Sequence, residues 1–290
     1  SILMSKTDVS NFLEESLFFS AHRVVEMVEL QFTEIIGRID LYVSGVFQQD
    51  LWDLMKPGTL IQEGSTTYSD ERGGKLNTMY AGGGIGGPLF TNFFIKAYGY
   101  FGTGKTLSFI GSSYSYKPIV SFLAGTEAGY YFPSFLSSFL SFQFVYTSGD
   151  DDYQQFIEGN TDGNATMFIP VSRPVIGLAF SPQLGNIFYA RLTYSLKPLS
   201  GRKLKTGGDL QIQIGGIPMF RSTIGPISEA GVDTSSESLY LGTEALAKLN
   251  FRIASDIGAY FQAGLFLPNG KVFPSAAPTF AGRLGISLSI

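Results

Sequence analysis

Read residue by residue, the chain alternates between apolar and polar positions over long stretches, the period of a strand whose two faces meet different environments. In 187–197, Phe188, Ala190, Leu192, Tyr194 and Leu196 form one face, while Tyr189, Arg191, Thr193, Ser195 and Lys197 form the other. In 239–253, Leu239, Leu241, Ala245, Ala247, Leu249, Phe251 and Ile253 oppose Tyr240, Glu244, Lys248, Asn250 and Arg252. Asp209, Gln211 and Gln213 interleave with Leu210, Ile212 and Ile214, and Arg283, Ser287 and Ser289 with Phe280, Leu284, Ile286, Leu288 and Ile290. The same split sets Arg38, Asp40 and Tyr42 against Ile39, Leu41 and Val43, Lys96 against Ile95 and Ala97, and Glu127 against Phe122, Ala124 and Ala128. Charges within these strands fall on the polar face.

That placement is what a lipid-facing exterior enforces, since Arg or Lys there costs roughly 2–4 kcal/mol at mid-membrane. A soluble sandwich also alternates, but its strands run about 5–6 residues. These run nearer ten to fifteen, and about 9–11 residues cross a bilayer when tilted. A closed barrel is the only sheet that crosses without unpaired edges. The expected fold is therefore all-β, a transmembrane antiparallel β-barrel of 12–14 strands. About thirteen segments are legible, near 24–33, 35–47, 75–86, 89–101, 105–116, 119–132, 135–147, 172–181, 186–197, 208–217, 239–253, 255–267 and 279–290. Bacterial single-chain barrels have even strand numbers. Fourteen is the preferred count, with the extra strand in 11–20; a bulge at Thr33 and Glu34 would instead give twelve. Residues 1–23 are expected to form a plug or that extra strand, and 24–290 the barrel. Glu26, on the apolar phase of Val28, Leu30 and Phe32, is the exception to the pattern.

Turns are expected at Gly102-Thr103-Gly104, Lys117-Pro118 and Pro133-Ser134. Long polar connections lie at 48–74, 148–171, 221–238 and 268–278. In a barrel these should share one side. With the segments above, the connection at Ser148 has the wrong parity, so one strand boundary in the middle must be misplaced or one long loop must face the other side.

Composition narrows the picture. The 290 residues include 35 Gly, 26 Phe, 15 Tyr and no Cys, with 15% charged residues, where soluble domains average about 25%. Disorder and a disulfide scaffold are excluded. A net charge of -4 gives no electrostatic footprint for nucleic acid. The longest uncharged run, 128–149, is interrupted by Pro133 and several serines, so it is a poor lipid-facing helix. The residues from Ser1 on do not read as a basic, apolar and small-residue leader, which neither establishes nor excludes export.

Gly99–Thr106 satisfies the phosphate-loop pattern GxxxxGK[ST]. That chemistry needs a buried strand before the loop and a helix after it. Both flanks alternate instead, so a hairpin turn is expected. His22, the single histidine, would need Ser and acidic partners to act as a base, and a solvent-exposed or plug histidine is the simpler reading. Asp150, Asp151 and Asp152, with Glu158 and Asp162, could supply oxygen ligands, but their spacing does not match an EF-hand and an acidic run is usually a solvated loop. No catalytic residue, metal site or cofactor is expected, and the chain is not read as an enzyme.

The polar-face charges are the candidate pore-lining set: Arg38, Asp40, Lys96, Glu127, Arg173, Arg191, Lys197, Asp209, Glu244, Lys248, Arg252 and Arg283. Rings of charged side chains select solutes by sign. The plainer alternative is that facing charges pair and fill the interior, since barrels are either water-filled or plugged.

Thr147-Ser148-Gly149-Asp150-Asp151-Asp152, followed by Met167-Phe168-Ile169-Pro170-Val171-Ser172 and a further strand, resembles outer-membrane porins of the alginate-export type over about 147–197. The resemblance implies a monomeric barrel passing polar or anionic solutes and marks no substrate-binding position. The expected function is thus a channel or porin in the bacterial outer membrane, with membrane lipid and a small solute as partners. The alternative is a structural barrel without an open pore, or one joined to protein partners in a larger complex.

Overall fold

The computed structural model describes residues 2–5, 22–50, 59–63, 66–70, 77–110, 113–151, 164–172, 174–200, 209–252 and 256–288, with side chains from 24–49, 77–105, 117–151, 164–172, 174–200, 210–252 and 256–287. Twelve strands form one antiparallel sheet: β1 (Ile2–Ser5), β2 (His22–Ile36), β3 (Ile39–Asp50), β6 (Asn77–Phe90), β7 (Phe93–Ile110), β8 (Ser113–Phe132), β9 (Ser138–Thr147), β10 (Ile187–Leu196), β11 (Asp209–Arg221), β12 (Tyr240–Arg252), β13 (Ile257–Pro268) and β14 (Thr279–Leu288). β4 (Thr59–Glu63) and β5 (Thr66–Asp70) make a separate hairpin within the β3–β6 connection. Every ladder joins chain neighbours in the sheet, an up-and-down order. Among the described residues no ladder joins β14 to β1, and no α-helix occurs. Of the expected N-terminal segment, Ile2–Ser5 pairs with His22–Val25, and 6–21 lie outside the described residues.

Two of the expected turns are strand interiors. β7 runs through Gly102-Thr103-Gly104 and β8 through Lys117-Pro118, so the segments near 89–101, 105–116 and 119–132 are two long strands paired from Phe93↔Tyr130 to Ile110↔Ser113. The phosphate-loop look-alike therefore lies within β7, neither a nucleotide loop nor the expected hairpin. Glycine there satisfies steric demands: at Gly104, φ is +143° and a Cβ would come 2.0 Å from the Asn77 carbonyl oxygen. The turn at Pro133 is present, spanning 133–137.

A third correction removes the parity conflict. Residues 172 and 174–181 form no strand. Pro174 and Pro182 cannot donate to a ladder, and the span between them has apolar residues in both phases. Without that strand, the connections after β3, β9, β11 and β13 all lie on one side, and the short turns after β2, β6 and β8 lie on the other.

The two faces are as the alternation predicts. One exposes Val43, Phe101, Phe122, Phe142, Leu192, Ile214, Leu249, Phe261 and Leu284. At the long-connection end this outer face carries an aromatic row across five strands: Phe122–Tyr146 at 5.4 Å, Tyr146–Phe188 at 6.1 Å, Phe188–Phe220 at 4.8 Å and Phe220–Tyr240 at 5.2 Å between ring centroids. At the other end, Tyr130 and Phe132 stand 4.5 Å apart. Phe122 and Phe132 are separated by about 33 Å of strand, or about 25 Å of depth at a tilt near 40°. That matches the height of an outer-membrane apolar band, about 25 Å, bounded by aromatic girdles. Glu26 lies opposite Phe47 on this face, the exception seen in the sequence.

On the inner face, tyrosines lie over glycines of neighbouring strands. A Cβ on Gly84 would meet the Tyr42 ring at 2.8 Å, one on Gly82 the Tyr100 ring at 2.6 Å, and one on Gly125 the Tyr98 ring at 2.4 Å. The glycines of β6 thus make room for aromatic cover. Gly84→Ala is expected to displace Tyr42 and to cost about 1–3 kcal/mol of stability, the usual range for overpacking. Urea-dependent refolding into vesicles measures this, and an unchanged midpoint would remove the packing argument.

Candidate functional site

The inner face divides into two zones. Toward the short turns, the charges fall into register rows. Asp40, Gly86, Lys96, Glu127, Gln143 and Arg191 occupy successive paired positions from β3 to β10. Ser195, Gln213, Lys248, Gln262 and Arg283 form a second row from β10 to β14. Within the first, the Gln143 amide donates to Glu127 Oε1 at 3.1 Å, and Lys96 Nζ sits 5.5 Å from the Tyr98 ring. Asp40 accepts the Glu34 amide at 2.9 Å, near the β2–β3 turn, where Arg38 is exposed. Lys197, Arg252 and Arg283 are exposed and Lys248 is half-buried. Lys197, Gln211, Asn250, Arg252, Tyr260 and Ser287 border one hollow at the short-turn end.

Toward the long connections, the inner face is covered, apolar on β9 to β13 and carrying buried Gln48, Thr78 and Ser121 on β3, β6 and β8. Residues 164–172 and 174–186, both in the β9–β10 connection, lie against it. The connection starts on β8 beyond the end of β9: Val120 donates to the Ala165 carbonyl at 2.9 Å and Ala165 to the Pro118 carbonyl at 2.8 Å. Phe168 packs on Tyr80, 5.4 Å between rings, while the Tyr80 hydroxyl donates to the Ile169 carbonyl. Farther along, Ile176 joins a core with Val145, Tyr189, Ile217, Met219, Leu241 and Phe266. Phe180 stacks on Phe266 at 4.2 Å and meets Phe273 edge-on at 5.8 Å. The segment thus reaches from β6 and β8 to β13.

Polar side chains tie this insertion to the sheet. Arg191 donates to the carbonyls of Val175 and Ile176. Glu244, with no exposed surface, accepts from the amides of Leu178 and Ala179 at 2.6 and 3.1 Å through Oε1, and from Phe180 at 2.9 Å through Oε2. Asn186, at φ +55°, accepts the Thr223 amide at 2.8 Å and donates to the Pro226 carbonyl at 3.0 Å. The β11–β12 connection is organised by buried Arg221, which donates to four carbonyls: Gly225 at 3.0 Å, Asp233 at 3.3 Å, Ser236 at 2.7 Å and Ser238 at 2.6 Å. In that connection, hydrogen bonds from the Ser235 hydroxyl first and then the Ser235 amide hold the Asp233 carboxyl below its ordinary range.

Several sequence-derived candidates thus share the inner face, but not one role. Asp40, Lys96, Glu127 and Arg191 are in one row, and Lys248 and Arg283 in another. Glu244 binds chain amides rather than facing water. Arg173 and the side chains of Asp209 and His22 lie outside the described residues. Asp150 is not a solvated loop acid: it is buried and accepts the Thr166 amide at 2.7 Å. Asp152, Glu158 and Asp162 lie outside the described residues. Met167–Ser172, the second part of the porin-like motif, belongs to the insertion and not to a strand start.

Sequence reasoning missed Arg221, Asn186 and the insertion. The available signal was the loss of alternation where the inner face becomes covered. Ile217-Pro218-Met219-Phe220 and Ile187-Phe188-Tyr189 are apolar in both phases.

No protein-family model and no curated protein matches the chain. Among solved structures it is similar to a NanC porin in a rhombohedral crystal form, at 8% identity and a TM-score of 0.37, over 93% of this chain and 94% of that one.

Proposed function

We propose that the chain is a channel of the bacterial outer membrane, passing small polar solutes with a preference for anions through a barrel narrowed by 164–186. The observation that carries this reading is the two-faced sheet: an apolar exterior between aromatic girdles about 25 Å apart, and an interior with registered charges. On that interior Lys96, Lys197, Lys248, Arg252 and Arg283 outnumber Glu29, Asp40 and Glu127, while Arg191 and Glu244 are occupied by carbonyls and amides of the insertion. A positive lining attracts anions and repels cations. The resemblance of 147–197 to alginate-export-type porins adds to the anionic expectation. No catalytic step is invoked.

Planar-bilayer recording tests the proposal. Folded protein should give stepwise currents and an anion-selective reversal potential in a salt gradient. Exchanging Lys248 and Arg283 together for Glu should lower the anion-to-cation permeability ratio several-fold. A current whose selectivity ignores the exchange would separate these residues from the pathway. The insertion favours a second reading, a barrel without an open pore that serves as a structural or complex-forming component. Absence of step currents from correctly folded protein would select it.

A further inference from the structure

Glu244 sits where the inserted segment reaches its farthest point from β8, on the β12–β13 wall. Its carboxylate is clasped by three successive amides, Leu178 and Ala179 on one oxygen and Phe180 on the other. Successive amides pointing into one hollow form a nest that favours an anion. Charged hydrogen bonds of this kind are about twice as strong as neutral ones. The hollow exists because two residues lack side chains. A Cβ on Gly177 would stand 2.2 Å from Glu244 Oε2, and one on Gly264 2.6 Å from Oε1. One glycine belongs to the insertion and the other to β13, so both sides leave room for the carboxylate.

We infer that Glu244 is the positioning residue of the insertion, a latch whose charge holds the 177–180 turn across the passage and so sets its width. The inference rests on the channel reading for its effect on conduction, but not for the latch itself. Glutamine cannot replace it. Its single carbonyl oxygen accepts on one side, while its amide nitrogen would set a donor against a donor. Phe180, stacked on Phe266, then has apolar contact alone to keep the turn in place. The 177–180 turn loosens, while Arg191 on one side and Asn186 on the other keep the flanking residues in place.

The natural chain has no cysteine, which permits a clean readout. Ala179→Cys is introduced as a single thiol, and its modification by a polar maleimide is timed on protein shown to be folded by heat-modifiable migration. With Glu244 intact, labelling is expected to be slow. Glu244→Gln should accelerate it by roughly tenfold or more, as a local opening becomes less costly. Gly177→Ala, which presses a methyl group into the latch without altering the wall, should do the same. If Glu244→Gln does not fold, Gly177→Ala decides. Labelling at the parental rate in the folded variants overturns the latch. Unitary conductance supplies the separate arm and should rise in both variants. Accelerated labelling in a protein that never conducts would defeat the channel reading and leave the latch standing.

Discussion

An Arg221→Met chain is expected to lose about 3 kcal/mol of folding stability, since each buried acceptor left without its donor costs about 1–3 kcal/mol and some regain water. Arg221 has no exposed surface and satisfies four carbonyls of the β11–β12 connection, from Gly225 to Ser238. Methionine fills much of the same volume but donates nothing, so the loss reports the hydrogen bonds more than a cavity. Lysine should recover only part of it, because its donors radiate from one nitrogen and cannot fan across four oxygens as a planar guanidinium does. The urea midpoint for folding into lipid vesicles is the measurement. A midpoint for Arg221→Met equal to the parent's would show that the connection does not depend on this side chain.

The second large effect concerns orientation. Leu192 is 53% exposed on the outer face, between the two aromatic girdles, whereas Gln143, beside its paired partner Phe142 on β9, points inward. Leu192→Arg should destabilise the protein by about 2–4 kcal/mol in a bilayer, because the guanidinium faces hydrocarbon. Gln143→Arg should cost less than about 1 kcal/mol, since the new charge stands on the polar interior between Glu127 and Arg191, where attraction to one offsets repulsion from the other. Equal effects would contradict the assignment of faces. A penalty for Leu192→Arg that vanishes in short-chain detergent and returns in vesicles would tie it to membrane depth.

The alternation makes most of the sheet legible in the sequence. Strands such as Ile187–Leu196 and Ile257–Pro268 separate two solvents cleanly, and the separation appears directly in residue order. Errors arose where a local punctuation signal competed with a long ladder. Gly102, Gly104 and Pro118 look like turns, yet β7 and β8 extend past β6 and β9, and the glycines there answer to close backbone approach. The opposite error occurred at 172–181. Ile176, Ala179 and Phe180 are as apolar as a strand, but they pack against Ile217, Tyr189 and Phe266 rather than against lipid. Residue order cannot distinguish two apolar surroundings. For the site, charge positions identified the rows containing Lys96, Glu127, Lys248 and Arg283. Roles were beyond reach, because Glu244 and Lys248 occupy the same phase of one strand and differ only in what lies above them.

The β9–β10 junction has a consequence for assembly. Thr147 and Ile187 are forty residues apart in the chain, yet the Thr147 hydroxyl donates to the Ile187 carbonyl at 2.8 Å and accepts its amide at 3.1 Å. Next to them, the Ser148 carbonyl accepts the amides of Phe168 and Asn186 at 3.0 and 3.2 Å. This clasp fixes strand register at the mouth of the excursion, so the ladder that follows need not consult its contents. Loop-closure entropy grows only as the logarithm of length, about 0.6 kcal/mol per doubling. The interior filling can therefore be lengthened, shortened or exchanged in sequence while the wall keeps its pairing, which makes the excursion the place where such a barrel acquires a new bore without learning a new fold.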